Sequence, residues 1–194
     1  MPRQYVTALA GALLAEPGAG LVGVYLHGSA VLGGYIASRS DVDVLAVIAE
    51  PTDVRVQMRM RDRLISTARQ WPTIGLEMSV ITAATAANLG DCPYELHVVV
   101  DGDEVRAVLG AGQDGDLDLI LYAEVCRRHG LAVYGPPAGQ GKAPWCSSAR
   151  SRSVSVRIIG FDTQMITEAV PDSPTLVYLA EALTPHLVAT ATVC

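Results

Sequence analysis

"HGSAVLGGYIASRSDVDVLAVI", residues 27–48, decides how this chain is read. It overlaps two runs of strand formers, "LVGVYLHG" (21–28) and "DVDVLAVIA" (41–49), so two buried strands flank "SAVLGGYI", a short helix or turn. The interruption is Asp41-Val-Asp43 at the head of the second strand. Residues two apart on a strand share a face, which sets the two carboxylates side by side. Like charges that close repel, and burying them unpaired is costly, so something positive must sit between them. A hard divalent cation such as magnesium fits, since it prefers carboxylate oxygens and commonly also takes a substrate phosphate. Upstream, Gly28 lets a phosphate approach the backbone, and Ser29 offers a hydroxyl at a helix start whose amides favour anions. Ser40 is a second hydroxyl donor, and Arg39 beside it is open between an anionic ligand and a surface role.

The next strand adds a third acid. "IGLEMSVIT" (74–82) alternates, with Leu76, Met78 and Val80 on one face and Glu77, Ser79 and Ile81 on the other. Glu77 among apolar neighbours requires a partner, and it serves either as a third metal ligand or as a base. The remaining elements frame these. Val6, Leu9, Ala10, Leu13 and Leu14 give an N-terminal helix that stops at "EPGAG" (16–20), which argues against a signal peptide. Residues 52–70 read as a helix on the spacing of Val54, Met58, Arg61/Leu64 and Ile65/Ala68, with the arginines as its solvated stripe. "YELHVVVDG" (94–102) is a fourth strand on which Glu95 and His97 alternate, open between the site and solvent. "GDLDLILYAEVCRRHG" (115–130) is a helix with aspartates in its first turn and Arg127, Arg128 and His129 in its last, and "LAVYGPP" (131–137) is a short strand. Helices alternating with strands in this order make an α/β or α+β domain with a mixed sheet. His27, ahead of the Gly-Ser turn, reads as a structural hydrogen bonder.

Composition narrows the function. The 194 residues carry a net charge of −6, and the 14 basic residues are 13 arginines with Lys142. Without a basic face, a general nucleic-acid binder is excluded, and an acidic protein suits a cationic small ligand. No apolar run approaches a membrane span. Cys92, Cys126, Cys146 and Cys194 form no C-x-x-C pair, which reads as reduced thiols of a cytoplasmic protein and not a zinc site.

The assembly "HGS" followed by "SDVDVLAVI" resembles the polymerase β-like nucleotidyltransferase superfamily, whose signature is Gly-Ser, a spacer and Asp-x-Asp. "VYLHGSAVLGGYIASRSDVDVLAVI", "GLEMSVIT", "YELHV" and "DLDLILYAEVCRRHGLAVYGPPA" are similar to successive blocks of the aminoglycoside 3''-adenylyltransferases, which modify streptomycin and spectinomycin. The resemblance spans roughly residues 20–138 and implies a mixed sheet flanked by helices. It implies Asp41 and Asp43 as magnesium ligands, joined by Glu77, with Glu77 also the catalytic base, and Gly28, Ser29 and Ser40 as holders of the nucleotide phosphates. The implied reaction, with two Mg²⁺ ions, moves AMP from ATP to a drug hydroxyl and releases pyrophosphate.

The likeness ends there. A nucleotidyltransferase domain over 1–137 is followed by a short, atypical segment over 138–194, which does not align with the family's C-terminal helical domain. Trp145 is the one residue resembling its start, and 175–183 is a modest helix candidate. The Arg/Ser-rich run at 147–157 suggests a coding frame that shifted near residue 145. Two other readings therefore stand beside the drug-modifying enzyme: an antitoxin-like or regulatory nucleotidyltransferase domain that binds or AMPylates a protein, and an inactive truncated remnant. Neither the drug, the nucleobase nor the oligomeric state is fixed by the sequence.

Overall fold

The alternation of the apolar runs builds a sheet with two buried faces. In the computed structural model, residues 2–89, 92–110, 115–116 and 118–138 are described, together with the strands 152–155 and 190–193. Six strands pair in the order β5-β4-β3-β2-β1-β6. They are β1 (Leu21–Leu26), β2 (Val42–Ile48), β3 (Leu76–Thr82), β4 (Leu96–Asp101), β5 (Glu104–Leu109) and β6 (Leu131–Tyr134). β2 and β3 run parallel, and every other neighbouring pair is antiparallel. The parallel pair requires a crossover, supplied by helix α3 (Val54–Ala68). This is the mixed sheet flanked by helices expected from the sequence.

Side-chain parity assigns the two cores. Val24, Leu26, Val44, Ala46, Leu76, Met78 and Val80 pack on one face beneath α3 and helix α1 (Pro2–Leu14), which contributes Tyr5, Val6, Leu9 and Leu13. The intervening residues Tyr25, Leu45, Val47 and Ile81 pack on the other, under Leu119, Ile120, Ala123 and Cys126 of helix α5 (Asp118–His129). Burying a side chain such as Leu9 or Leu45 contributes about 1.5–3 kcal/mol, and both are fully buried. Glu16, with its side chain only 1% exposed, closes the end of α1 by pairing with Arg59 and Arg63 of α3 at 2.8 and 3.3 Å.

One expectation needs correction, and two elements were not anticipated. Within α3, Val54 and Met58 are exposed, and the buried stripe is Gln57, Met60, Leu64 and Ala68. The helix is rotated from the expected face because the Gln57 amide donates to Glu95 Oε2 at 3.1 Å, and that carboxylate also accepts from the Thr52 N–H at 2.8 Å. Residues 104–109, unassigned from sequence, form β5 and pair with β4 through a hairpin whose Gly102 has φ 54°. The "DG" at 101–102 is the turn signal that was passed over. A short helix, α4 (Ala83–Ala87), capped by the Thr82 hydroxyl, was likewise unassigned. Helix α2 (Ser29–Leu32) and the elements around the aspartates fall where expected.

Beyond Ala138, strands β7 (Arg152–Ser155) and β8 (Thr190–Val193) pair antiparallel, a pairing the sequence reading did not foresee. Trp145, the helix candidate at 175–183, Cys146 and Cys194 lie outside the described residues. Cys92 and Cys126 are buried and not disulfide-bonded. Among the described residues no helix is long and apolar enough to cross a membrane.

Candidate active site

Register places the acids. The parallel pairing of β2 with β3 sets Asp43 directly beside Glu77. Asp41 lies just before β2, exposed, and its Cβ packs close to Gly75: a Cβ added there would meet it at 3.0 Å. One oxygen from each of Asp41, Asp43 and Glu77 falls within 4.8 Å of the others. The three residues singled out from sequence are thus brought together at the head of β2 and β3.

The turn after β1 is built around Asp43. Gly28 has φ 61° and ψ −148°, a conformation essentially restricted to glycine. A side chain at Gly28 would overlap the Asp43 carboxylate. The His27 N–H donates to the Asp43 carbonyl at 3.0 Å, locking the turn to the strand. Burial first, then the neighbouring charges of Asp41 and Glu77, push the Asp43 pKa up to about 7, against the pull of the Ser29 N–H on the carboxylate. The Ser29 hydroxyl is buried with no hydrogen-bond partner among the described residues. An orphaned hydroxyl beside three crowded acids is a polar arrangement short of a counter-group.

The donor set fits a hard divalent cation. All three groups offer carboxylate oxygen, the preferred ligand of Mg²⁺, and a cation would relieve the repulsion that raises Asp43. Among the described residues no sulfur or imidazole nitrogen joins the cluster.

Beside the acids opens a polar cleft of about 500 Å³, within the range of small-molecule sites. It is lined by Ser38, Arg39, Ser40 and Asp41, by Thr73 and Glu77, and by His97, Asp101, Glu104 and Arg106 of the β4–β5 hairpin, while Asp43, Gly28 and Ser29 are not among its lining residues. Ser40 and Arg39 therefore face the same cleft as Glu77. The Ser40 oxygen accepts from the Ile36 N–H at 3.0 Å, which fixes its position. Glu95 and His97, which the sequence left open between site and solvent, part company. His97 lines the cleft with Nδ1 held by Ser79 Oγ at 3.0 Å, and Glu95 turns to α3. His27 is buried, and burial lowers its pKa to about 4, which makes it a neutral structural residue as expected.

Sequence reasoning missed Tyr122, Thr73, Glu104 and Arg106. Tyr122 of α5 donates its hydroxyl to Glu77 Oε1 at 2.8 Å, and its ring lies 5.0 Å from that of His27. Its pattern position within α5 was visible, but which strand it reaches depends on how the helix is docked.

The mixed six-stranded sheet flanked by helices is a fold this chain shares with nucleotidyltransferases of known structure. The spectinomycin adenyltransferase AAD(9) from Enterococcus faecialis, solved with ATP and spectinomycin, is similar to this chain at a TM-score of 0.54 and 14% identity, covering 87% of this chain and 68% of that one. Weaker likenesses, at TM-scores of 0.36 and 0.37, are to a toxin–antitoxin structure with AMP-PNP (14% identity, 67% of this chain and 73% of that one) and to a tri-AMPylated Shewanella oneidensis HEPN toxin in complex with MNT antitoxin (11% identity, 97% and 100%). No protein-family model and no curated protein matches the chain.

Proposed function

We propose that this chain is a magnesium-dependent nucleotidyltransferase that moves AMP from ATP to a hydroxyl of an aminoglycoside of the streptomycin or spectinomycin type. One observation carries the reading: Asp41, Asp43 and Glu77, from two strands and the loop before them, present oxygens within 4.8 Å of one another at the edge of a cleft. Asp41, Asp43 and Glu77 would hold up to two Mg²⁺ ions, which when bound neutralise triphosphate charge and polarise the transferring phosphorus.

The protein's own groups do the rest. Gly28 leaves room at the turn, the unpartnered Ser29 hydroxyl and the Ser40 hydroxyl donate to phosphate oxygens, and Arg39 offsets triphosphate charge from the cleft wall. Glu77 accepts the proton of the incoming hydroxyl. That oxygen then bonds to the α-phosphorus, the bond from the α-phosphorus to the bridging oxygen breaks, and pyrophosphate departs with the electron pair. A polycationic acceptor complements a chain of net charge −6 and the carboxylates of Asp101 and Glu104 on the hairpin.

A second acceptor class follows from the same geometry. Asp41 is exposed, so the acids stand within reach of a hydroxyl on a protein surface as well as a small molecule. Incubation with ATP and Mg²⁺ against streptomycin, spectinomycin and a bacterial lysate, read by mass spectrometry, separates the two. An added AMP on a drug supports the leading reading, and an added AMP on a lysate protein alone replaces it. No transfer in any arm, or undiminished transfer by Asp43→Asn, refutes the enzyme.

A further inference from the structure

The proposed reaction uses Glu77 and leaves unexplained the one side chain that grips it. Glu77 projects from β3 toward the face covered by α5, and a carboxylate there could rotate about its terminal torsion, because such torsions are broad. Tyr122 removes that freedom. Its hydroxyl donates to Oε1 at 2.8 Å. The phenol has one proton to give, and it is held in that state, since burial and the adjoining carboxylate raise its pKa.

The ring is fixed as firmly as the hydroxyl. It lies 5.0 Å from the buried His27 imidazole at the end of β1, tilted by 36°. β2 lies between β1 and β3, so a side chain anchored on His27 and reaching Glu77 crosses the head of β2, where Asp43 stands. Tyr122 thus touches residues on both sides of Asp43. Its neighbours Leu119, Ile120, Ala123 and Cys126 are packed into the core, which leaves α5 no room to swing.

We propose that Tyr122 is the positioning residue of the site: it engages Glu77 Oε1 so that Oε2 is the oxygen presented to cation or proton, and it sets that orientation from α5. The inference rests on the reading of Glu77 as ligand and proton acceptor. Tyr122 itself exchanges no proton with substrate. Groups that orient metal-binding side chains from behind commonly change affinity or activity by about 10- to 100-fold when removed.

The test is a double-mutant cycle on Mn²⁺ binding, measured by electron paramagnetic resonance with AMP-PNP present, in the wild type, Tyr122→Phe, Glu77→Ala and the double variant. Phenylalanine keeps the ring on His27 and removes only the hydroxyl, and thermal melts verify that each variant folds. The expected result is a weakening of Mn²⁺ binding by about tenfold in Tyr122→Phe, with little further effect of that change once Glu77 is alanine. In parallel, transfer by Tyr122→Phe is expected to lose kcat by about tenfold with KM for ATP within about twofold. An equal Mn²⁺ loss in both backgrounds, or none in either, overturns the proposal, because the tyrosine would then be acting on α5 alone or not at all. Coupling in the Mn²⁺ cycle with no transfer by the wild type would refute the reaction and leave the positioning role standing.

Discussion

Replacing Asp43 by asparagine is expected to make the metal-free protein more stable while destroying its proposed activity. The folded-state pKa of Asp43 rises from 3.8 to about 7 through burial and the charges of Asp41 and Glu77. At about 1.4 kcal/mol per pH decade, holding this group ionised above pH 7 costs the fold about 4 kcal/mol. The group is only part-buried, and asparagine gives up the charge that the Ser29 N–H binds, so the gain expected from the substitution is about 2 kcal/mol. The folded pKa lies above the unfolded one. The cost is therefore absent near pH 4, grows as the pH rises toward 7, and is constant beyond. Urea unfolding of wild type and Asp43→Asn in EDTA at pH 5 and pH 8 measures it: the variant's advantage should be larger at pH 8. Millimolar Mg²⁺ with AMP-PNP should then raise the wild type and leave the variant little changed. A variant less stable than wild type at pH 8 in EDTA, or an advantage that does not grow with pH, would refute the account of crowded acids.

Gly28→Ala should unfold or severely destabilise the chain, by about 3 kcal/mol or more in urea titration, because the backbone conformation excludes side chains and the new methyl meets the Asp43 carboxylate. Glu95→Ala should cost about 1–2 kcal/mol, since it removes the acceptor of the Thr52 N–H and one of the two acceptors of the buried Gln57 amide, which keeps the Thr52 carbonyl; Mn²⁺ affinity, measured alongside, should stay within about twofold because Glu95 faces α3 and not the cleft. His27, with its folded pKa near 4 against 6.5 unfolded, should withdraw stability as the pH falls from 6.5 toward 4. Chemical denaturation of His27→Phe across that range should show a shallower acid loss than the wild type.

How much of this was legible in the sequence depended on whether a residue's role is set within its own strand or across elements. Runs of β-branched and apolar residues gave the strands at 21–28 and 41–49, and period-two alternation gave the two faces at 74–82, because a strand's side chains alternate whatever it pairs with. The Asp-x-Asp spacing and Glu77 were legible for the same reason, together with their resemblance to a family signature. The face of α3 was misjudged because hydrophobicity ranks Val54 and Met58 above Gln57, and only the position of Glu95, 38 residues on, makes the amide the better inward choice. β5 was missed although Val105 and Leu109 pack partly buried against the core, because exposed Glu104, Arg106 and Val108 dilute its short apolar pattern. Tyr122 was hidden most completely: nothing local says that a tyrosine in α5 meets a glutamate 45 positions earlier.

The rim position of the β4–β5 hairpin divides the molecule into a part that resists change and a part that tolerates it. Asp43 and Glu77 sit on strands hemmed in on both faces, where nearly any replacement disturbs a core. β5 has no second strand partner among the described residues and mostly exposed side chains, so its lining groups can be exchanged at small cost in folding. Selection for a new acceptor would find its cheapest variants there, with the acid platform inherited intact.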